Sequence, residues 1–89
     1  MIPRLEILAA NAHTLIMKDM EICYSYSTAV CIRTKSGQVF LDSNFYKTSA
    51  TTKRHIVRFL NMKKWNEIEK RIMSKEYNLA DLQKLKDAK

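Results

Sequence analysis

The chain has 89 residues, 46% of them hydrophobic, with one glycine and one proline. This composition excludes a disordered or low-complexity chain and suits one small domain spanning residues 1–89. Sixteen Lys and Arg against nine Asp and Glu give a net charge of +7, which favours phosphate backbones and acidic protein surfaces as partners.

Two cysteines, Cys23 and Cys31, are too few for a disulfide framework, and no secretory signal is apparent before them. The apolar runs are far shorter than the roughly 20 residues that a membrane span needs. We therefore expect a reduced, cytoplasmic protein that does not enter a membrane.

The N-terminal segment Pro3–Ala12 has helical spacing of its apolar residues, with Leu5 and Leu8 on one side. Proline is tolerated in a first helical turn, and Asn11 is a reasonable stop. The pattern predicts a short N-terminal helix.

From His13 to Phe45 the sequence alternates in the manner of β-strands. Gly37 favours a two-residue hairpin loop, which would pair Ile32 with Leu41 on a core face. Upstream, a three-residue loop over Ser27–Ala29 would pair Tyr24 with Ile32 on the same face. We expect a three-stranded antiparallel meander, with Thr14–Met17 as a candidate fourth strand at its edge.

The segment Thr51–Lys64 predicts a central amphipathic helix, capped by Thr51 or Thr52. Ile56, Phe59 and Leu60 fall on one side at the spacing of a buried stripe.

The C-terminal part of the chain is also predicted to be helical. Trp65, Ile68 and Ile72 recur at helical spacing, so the central helix either continues or bends near Lys64 into a second helix. A short last helix is marked by Leu79, Leu82 and Leu85. The predicted fold class is therefore α+β, with the sheet packed on the central helix.

The sequence does not support a zinc site, a hydrolase site or an RNA-stacking platform. His13, Cys23, Cys31 and His55 do not have the spacing of a zinc site. No nucleophile motif surrounds Ser25 or Ser27, which with His55 and Asp42 would be the candidates for a hydrolase. Tyr24, Tyr26, Phe40 and Phe45 do not form an RNA-stacking platform, because the tyrosines share the expected core face. We therefore predict no catalytic residue, no metal and no cofactor.

The central helix carries the densest positive charge. Six cations and no carboxylate lie between Lys53 and Lys64, and Arg54 and Arg58 are one turn apart on the face opposite the apolar stripe. Such a face can lie along a phosphate backbone. The predicted contact residues are Lys53, Arg54, Arg58, Lys63 and Lys64, with Arg33 and Lys35 as a secondary patch.

Two motifs resemble those of a family of small uncharacterised proteins from tailed bacteriophages. The first is the strand Tyr24–Val30, in the form S-Y-x-T-x-V, and the second is the helix start Thr51–Ile56, in the form T-T-x-x-H-I. The sequence departs from the family pattern at Ala29, where relatives often carry proline. The resemblance implies a phage origin, a host-cytoplasm setting and one local arrangement, interpreted as a structural lock, formed by Tyr26, Thr28, Thr51, Thr52 and His55.

These observations favour a non-enzymatic binding protein that engages nucleic acid or a host nucleoprotein complex through its basic helix. The alternative is a protein-directed inhibitor of a host defence or transcription component, which would use the same helix to fill an acidic groove. The sequence leaves homo-oligomerisation open.

Overall fold

A computed structural model describes residues 4–43 and 49–82. In this part of the chain, a six-stranded mixed sheet carries two helices. The elements are β1 (Arg4–Ala9), β2 (Ala12–Ile16), β3 (Met20–Ser25), β4 (Thr28–Thr34), β5 (Val39–Asp42), α1 (Ala50–Phe59), α2 (Trp65–Met73) and β6 (Asn78–Ala80). The strands lie side by side in chain order; β1 to β5 are antiparallel, and β6 is parallel to β5.

The N-terminal segment is a β-hairpin, so the predicted helix over Pro3–Ala12, whose first residue lies outside the described part, is wrong. β1 pairs with β2, with Leu5 opposite Leu15. Asn11 in the turn has φ 61°, a left-handed conformation that asparagine adopts more readily than most residues. Leu5 and Ile7 also alternate as in a strand, and pairing with β2 outweighs the weak helical preference of so short a segment.

The sheet is larger than the predicted three-stranded meander. The segment proposed as an extra edge strand, Thr14–Met17, largely coincides with β2, which lies inside the sheet between β1 and β3. β6 occupies residues Asn78–Ala80, where the sequence predicted the start of a last helix. Leu82 of that predicted helix is buried, and Leu85 lies outside the described residues.

The hairpin between β4 and β5 has a register that differs from the predicted one by one residue. Cys31, not Ile32, lies opposite Leu41. The Thr34 amide donates to the Gln38 carbonyl at 2.8 Å, and the Gly37 amide donates to the Thr34 carbonyl at 3.0 Å. The loop therefore contains three residues, with Gly37 at φ 96°, as in the turn-plus-bulge loops that use glycine in this place.

This register reverses the assignment of the faces of β3 and β4, because successive side chains of a strand point in opposite directions. Leu41 of β5 lies on the core face, as predicted. Cys23 lies opposite Cys31, and both are buried in the core under the helices. The turn between β3 and β4 is formed by Tyr26 and Ser27, and a bulge interrupts the register beside Tyr24. Tyr26 is 56% exposed, so the prediction that it belongs to the core face is wrong.

The central helix buries the predicted stripe. Ile56, Phe59 and Leu60 belong to the core that also contains Cys23 and Leu41. Burying an aliphatic or aromatic side chain of this size stabilises a fold by about 1.5–3 kcal/mol, so this stripe is the main attachment of α1 to the sheet.

The N-terminus of α1 is capped by Ser49, not by Thr51 or Thr52. The Ser49 side chain accepts a hydrogen bond from the Thr52 amide at 3.0 Å. This bond satisfies one of the first-turn amides that a helix leaves without an internal partner. The cap therefore lies two or three residues before the predicted positions, and α1 begins at Ala50.

The end of α1 explains why the helical pattern does not run on through Lys64. Asn61 has φ 56°; its amide donates to the Arg58 carbonyl at 3.2 Å, and the Met62 amide donates to the Val57 carbonyl at 3.0 Å. These two bonds define a Schellman motif, which satisfies carbonyls at the end of the helix and turns the chain. Of the two alternatives left open by the sequence, the structure shows a separate second helix.

Candidate functional site

Helix α1 presents two chemically different faces. Thr52, His55 and Ile56 point to the interior, whereas Arg54 and Arg58 are exposed. Salt bridges within the described residues involve neither arginine, so their charge is available to a partner.

The buried polar side of α1 contains a chain of hydrogen bonds. The Ser49 hydroxyl donates to Thr52 Oγ1 at 3.0 Å. Thr52 Oγ1 lies 3.2 Å from Ser25 Oγ, which in turn lies 2.8 Å from His55 Nδ1. Ser25 is the last residue of β3, so this chain joins the start of α1 to the sheet.

The hydrogen-bond partners of His55 indicate its tautomer. The imidazole also bonds to the backbone of Ala10, and this bond raises its pKa, as donation to a carbonyl oxygen does. Donation from Nε2 to Ala10 would leave Nδ1 of the neutral ring to accept the Ser25 hydroxyl. His55 thereby contacts both the β1–β2 turn and β3.

The pKa of His55 is lower than that of an ordinary histidine. Burial is the largest cause, and the positive charge of Arg54 adds to it, while the bond to Ala10 opposes both. Burial therefore contributes more than the neighbouring cation to keeping the imidazole neutral.

The burial of this cluster suits a structural role. Ser25 is 3% exposed and His55 is 5% exposed, so a substrate carbonyl would have to displace α1 to reach the serine oxygen. A nucleophilic serine needs access to substrate as well as a base. The geometry therefore favours fixing the position of α1 over acyl transfer.

The other residues of the predicted lock lie around this cluster. The Tyr26 ring is 6.2 Å from the His55 ring, centre to centre, in a tilted arrangement. Thr28 lies opposite Ser25 in the β3–β4 pair, and Thr51 is half-buried. Ser25, the residue that bonds directly to His55, was absent from the lock that the family resemblance implied and was named with His55 only among the hydrolase candidates.

A groove of about 690 Å³ opens beside α1. Its lining includes four cations, Lys53, Arg54, Arg58 and Lys63. The remaining lining residues are Ala10, Thr51, His55, Val57, Asn61, Met62 and Trp65. No carboxylate belongs to this lining among residues 4–43 and 49–82, so the described walls of the groove carry uncompensated positive charge.

The remaining predicted contact residues do not line the groove. The Arg33 Nε donates to Glu21 Oε1 at 3.0 Å, and Nη1 donates to the Phe59 carbonyl at 3.2 Å. Arg33 is therefore engaged in attaching α1 to the sheet. Lys35 is exposed in the β4–β5 loop, and Lys64 is exposed at the N-cap of α2.

One comparison with known proteins gives a family. The profile of a family of unknown function, DUF8033, matches residues 3–75. The chain belongs to this family. No curated protein and no solved structure matches the chain significantly.

The DUF8033 match contains the features described above. Both helices, the groove cations and the Ser25–His55 bond fall within it, whereas β6 begins at Asn78, after its end. In the described part of this DUF8033 chain, no helix is long and apolar enough to cross a membrane.

Side chains of the types that bind metals are dispersed over residues 4–43 and 49–82. No cluster of three or more His, Cys, Asp or Glu suited to a metal ion occurs in the part of the chain that the structure describes. Cys23 and Cys31 face each other as free thiols, and burial raises the pKa of Cys23 to about 12. A thiol is a weak metal ligand until it loses its proton, so this pair is suited to core packing.

Proposed function

We propose that the protein binds nucleic acid without sequence specificity through the basic groove beside α1. The observation that carries the proposal is the convergence of Lys53, Arg54, Arg58 and Lys63 on one concave surface that no described carboxylate shares. Phosphate contacts of this kind supply affinity but carry no sequence information. The phage origin and host-cytoplasm setting implied by the resemblance are part of the proposal.

The two arginines supply the strongest phosphate contacts. A guanidinium presents a planar fork of donors that fits two phosphate oxygens, whereas an ammonium acts as a point charge. Arg54 and Arg58 are one helical turn apart and exposed. Lys53 and Lys63 would add charge on either side.

A salt titration tests the proposal quantitatively. Each neutralised phosphate contributes about 0.9 to the slope of log K against log salt for duplex DNA, or about 0.7 for a single strand. Four contacts therefore predict a slope between about −2.8 and −3.6. Fluorescence anisotropy of a labelled oligonucleotide, measured between about 50 and 200 mM salt, would give this slope.

Matched double variants separate the groove from net charge. Arg54→Ala/Arg58→Ala should reduce the magnitude of the slope by about 1.4–1.8 and weaken binding. Lys18→Ala/Lys70→Ala removes the same charge from exposed residues outside the groove lining and should leave the slope nearly unchanged. Equal losses in the two variants would contradict the groove, and the absence of binding at low salt would contradict nucleic-acid binding itself.

The second candidate, a protein-directed inhibitor whose target presents an acidic surface, predicts a different outcome. The wild-type protein would capture a host protein from nuclease-treated lysate, and Arg54→Ala/Arg58→Ala would lose it. The composition of the groove supports this candidate. Val57 and Met62 line the groove together with the cations, and protein interfaces combine apolar and charged contacts.

A further inference from the structure

The groove has an apolar part as well as a basic one. Val57, Met62 and Trp65 are half-buried, pack against the core and also line the groove. Phosphate oxygens bind to cations and hydrogen-bond donors and gain nothing from apolar side chains. The parts of these three side chains that line the groove therefore suit a ligand that carries an apolar group beside its phosphates.

Trp65 contributes its aromatic ring to the lining of the groove. The Lys53 ammonium lies 5.7 Å from the centre of the ring, in the position of a cation–π contact. A cation–π contact contributes at most about as much as the stacking of a nucleobase on an aromatic ring. A base can therefore replace the Lys53 ammonium over the ring, and the displaced ammonium becomes available to a neighbouring phosphate.

The size of the groove favours a single strand over a duplex. Its volume of about 690 Å³ lies within the range of sites that enclose small-molecule ligands, which suits one or two nucleotides. A duplex keeps its bases stacked inside and presents mainly backbone to a concave basic surface, so no base reaches an aromatic ring unless it is flipped out. A single strand presents base and phosphate together.

We propose that the groove is a single-strand site, in which one base stacks on Trp65 while adjacent phosphates lie on Arg54, Arg58 and Lys63. This inference rests on the proposed function and names its substrate class. Because a π-face is common to all bases, the site would tolerate any sequence.

The test uses intrinsic fluorescence, because Trp65 is the only tryptophan in the chain. A single-stranded oligonucleotide of about 12 nucleotides, within the usual range of single-strand site sizes, should quench the emission of Trp65 and bind at least about 10-fold more tightly than the matching duplex. Trp65→Leu should weaken single-strand binding by about 5- to 100-fold, as measured by anisotropy of the labelled oligonucleotide.

Trp65→Phe separates stacking from folding, because it keeps an aromatic ring but loses the tryptophan signal. It should retain most of the single-strand affinity, and thermal unfolding would show whether either variant is folded at the temperature of the assay. Binding of strand and duplex with equal affinity and no quenching would overturn the single-strand assignment and leave the phosphate-binding groove intact. No binding of either would overturn both.

Discussion

Ser25 Oγ lies 2.8 Å from His55 Nδ1 in the interior, so the end of β3 and the middle of α1 are joined by a buried hydrogen bond. This bond fixes the helix that carries three of the four groove cations. Stability and binding can therefore be tested separately, since the buried and exposed faces of α1 serve different purposes.

Ser25→Ala should lower the free energy of unfolding by about 1–3 kcal/mol, because it leaves buried polar groups of His55 and Thr52 without this partner. Urea denaturation would measure the loss. Ser27→Ala, at an exposed position of the neighbouring turn, is the matched control and should change stability by less than about 0.5 kcal/mol. Equal stability of Ser25→Ala and the wild type would show that the hydrogen bond is not a lock.

The protein should lose stability as the medium becomes mildly acidic. Burial lowers the pKa of His55 below its value of 6.5 in the unfolded chain, so the unfolded chain takes up the proton first as the pH falls. The contribution of neutral His55 to the free energy of unfolding is complete above pH 6.5. It is lost as the pH falls through the lower pKa of the folded state. Urea midpoints between about pH 7.5 and 5 would show the loss.

His55→Gln provides the control for this pH dependence. Glutamine retains hydrogen-bonding capacity but does not titrate, so the variant should have a flatter stability profile over the same range. A profile as steep as that of the wild type would assign the pH dependence to another group.

Arg33→Met should reduce stability and leave oligonucleotide binding unchanged. The substitution removes the ion pair with Glu21 and the hydrogen bond to the Phe59 carbonyl. It also removes the cation–π contact of the guanidinium, which lies 4.8 Å from the centre of the Phe59 ring. Because the pair is partly exposed, the expected cost is only about 1 kcal/mol. Paired urea and anisotropy measurements would check it; a loss of affinity in the folded variant would restore Arg33 to the contact surface.

Ser49→Ala should cost about 1 kcal/mol, because it removes the cap of α1. Thr51→Ala, at one of the two positions that the sequence favoured as the cap, should cost less than about 0.5 kcal/mol. Urea midpoints of the two variants distinguish the assignments. A larger loss in Thr51→Ala than in Ser49→Ala would contradict the capping geometry.

The central helix was predictable because its signal is local. Ile56 and Phe59 are three positions apart, and Arg54 and Arg58 on the other side of the helix are charged and exposed, so the buried face could be assigned without knowledge of the rest of the chain. The basic groove was predictable only in part: its cations are close in sequence, but the inclusion of Trp65 depends on the turn at Asn61.

The strand faces were not predictable in the same way. A single additional loop residue before Gly37 moved Cys31 from the expected outer face into the core, since register determines the face of every residue in a strand. The N-terminal hairpin was missed because Leu5 and Leu8 fit a helix as well as Leu5 and Ile7 fit a strand. Only pairing with a distant segment decides such cases.

The short strand β6 returns the chain to the sheet after the two helices. The backbone leaves the sheet after Asp42 and returns beside the same strand, where Asp42 lies opposite Ala80 and its carboxylate accepts the Leu82 amide at 2.9 Å. Both helices thus belong to a loop whose two ends are fastened to adjacent strands. A ligand entering the groove would meet walls already held in place, and little of its binding energy would be spent on ordering them.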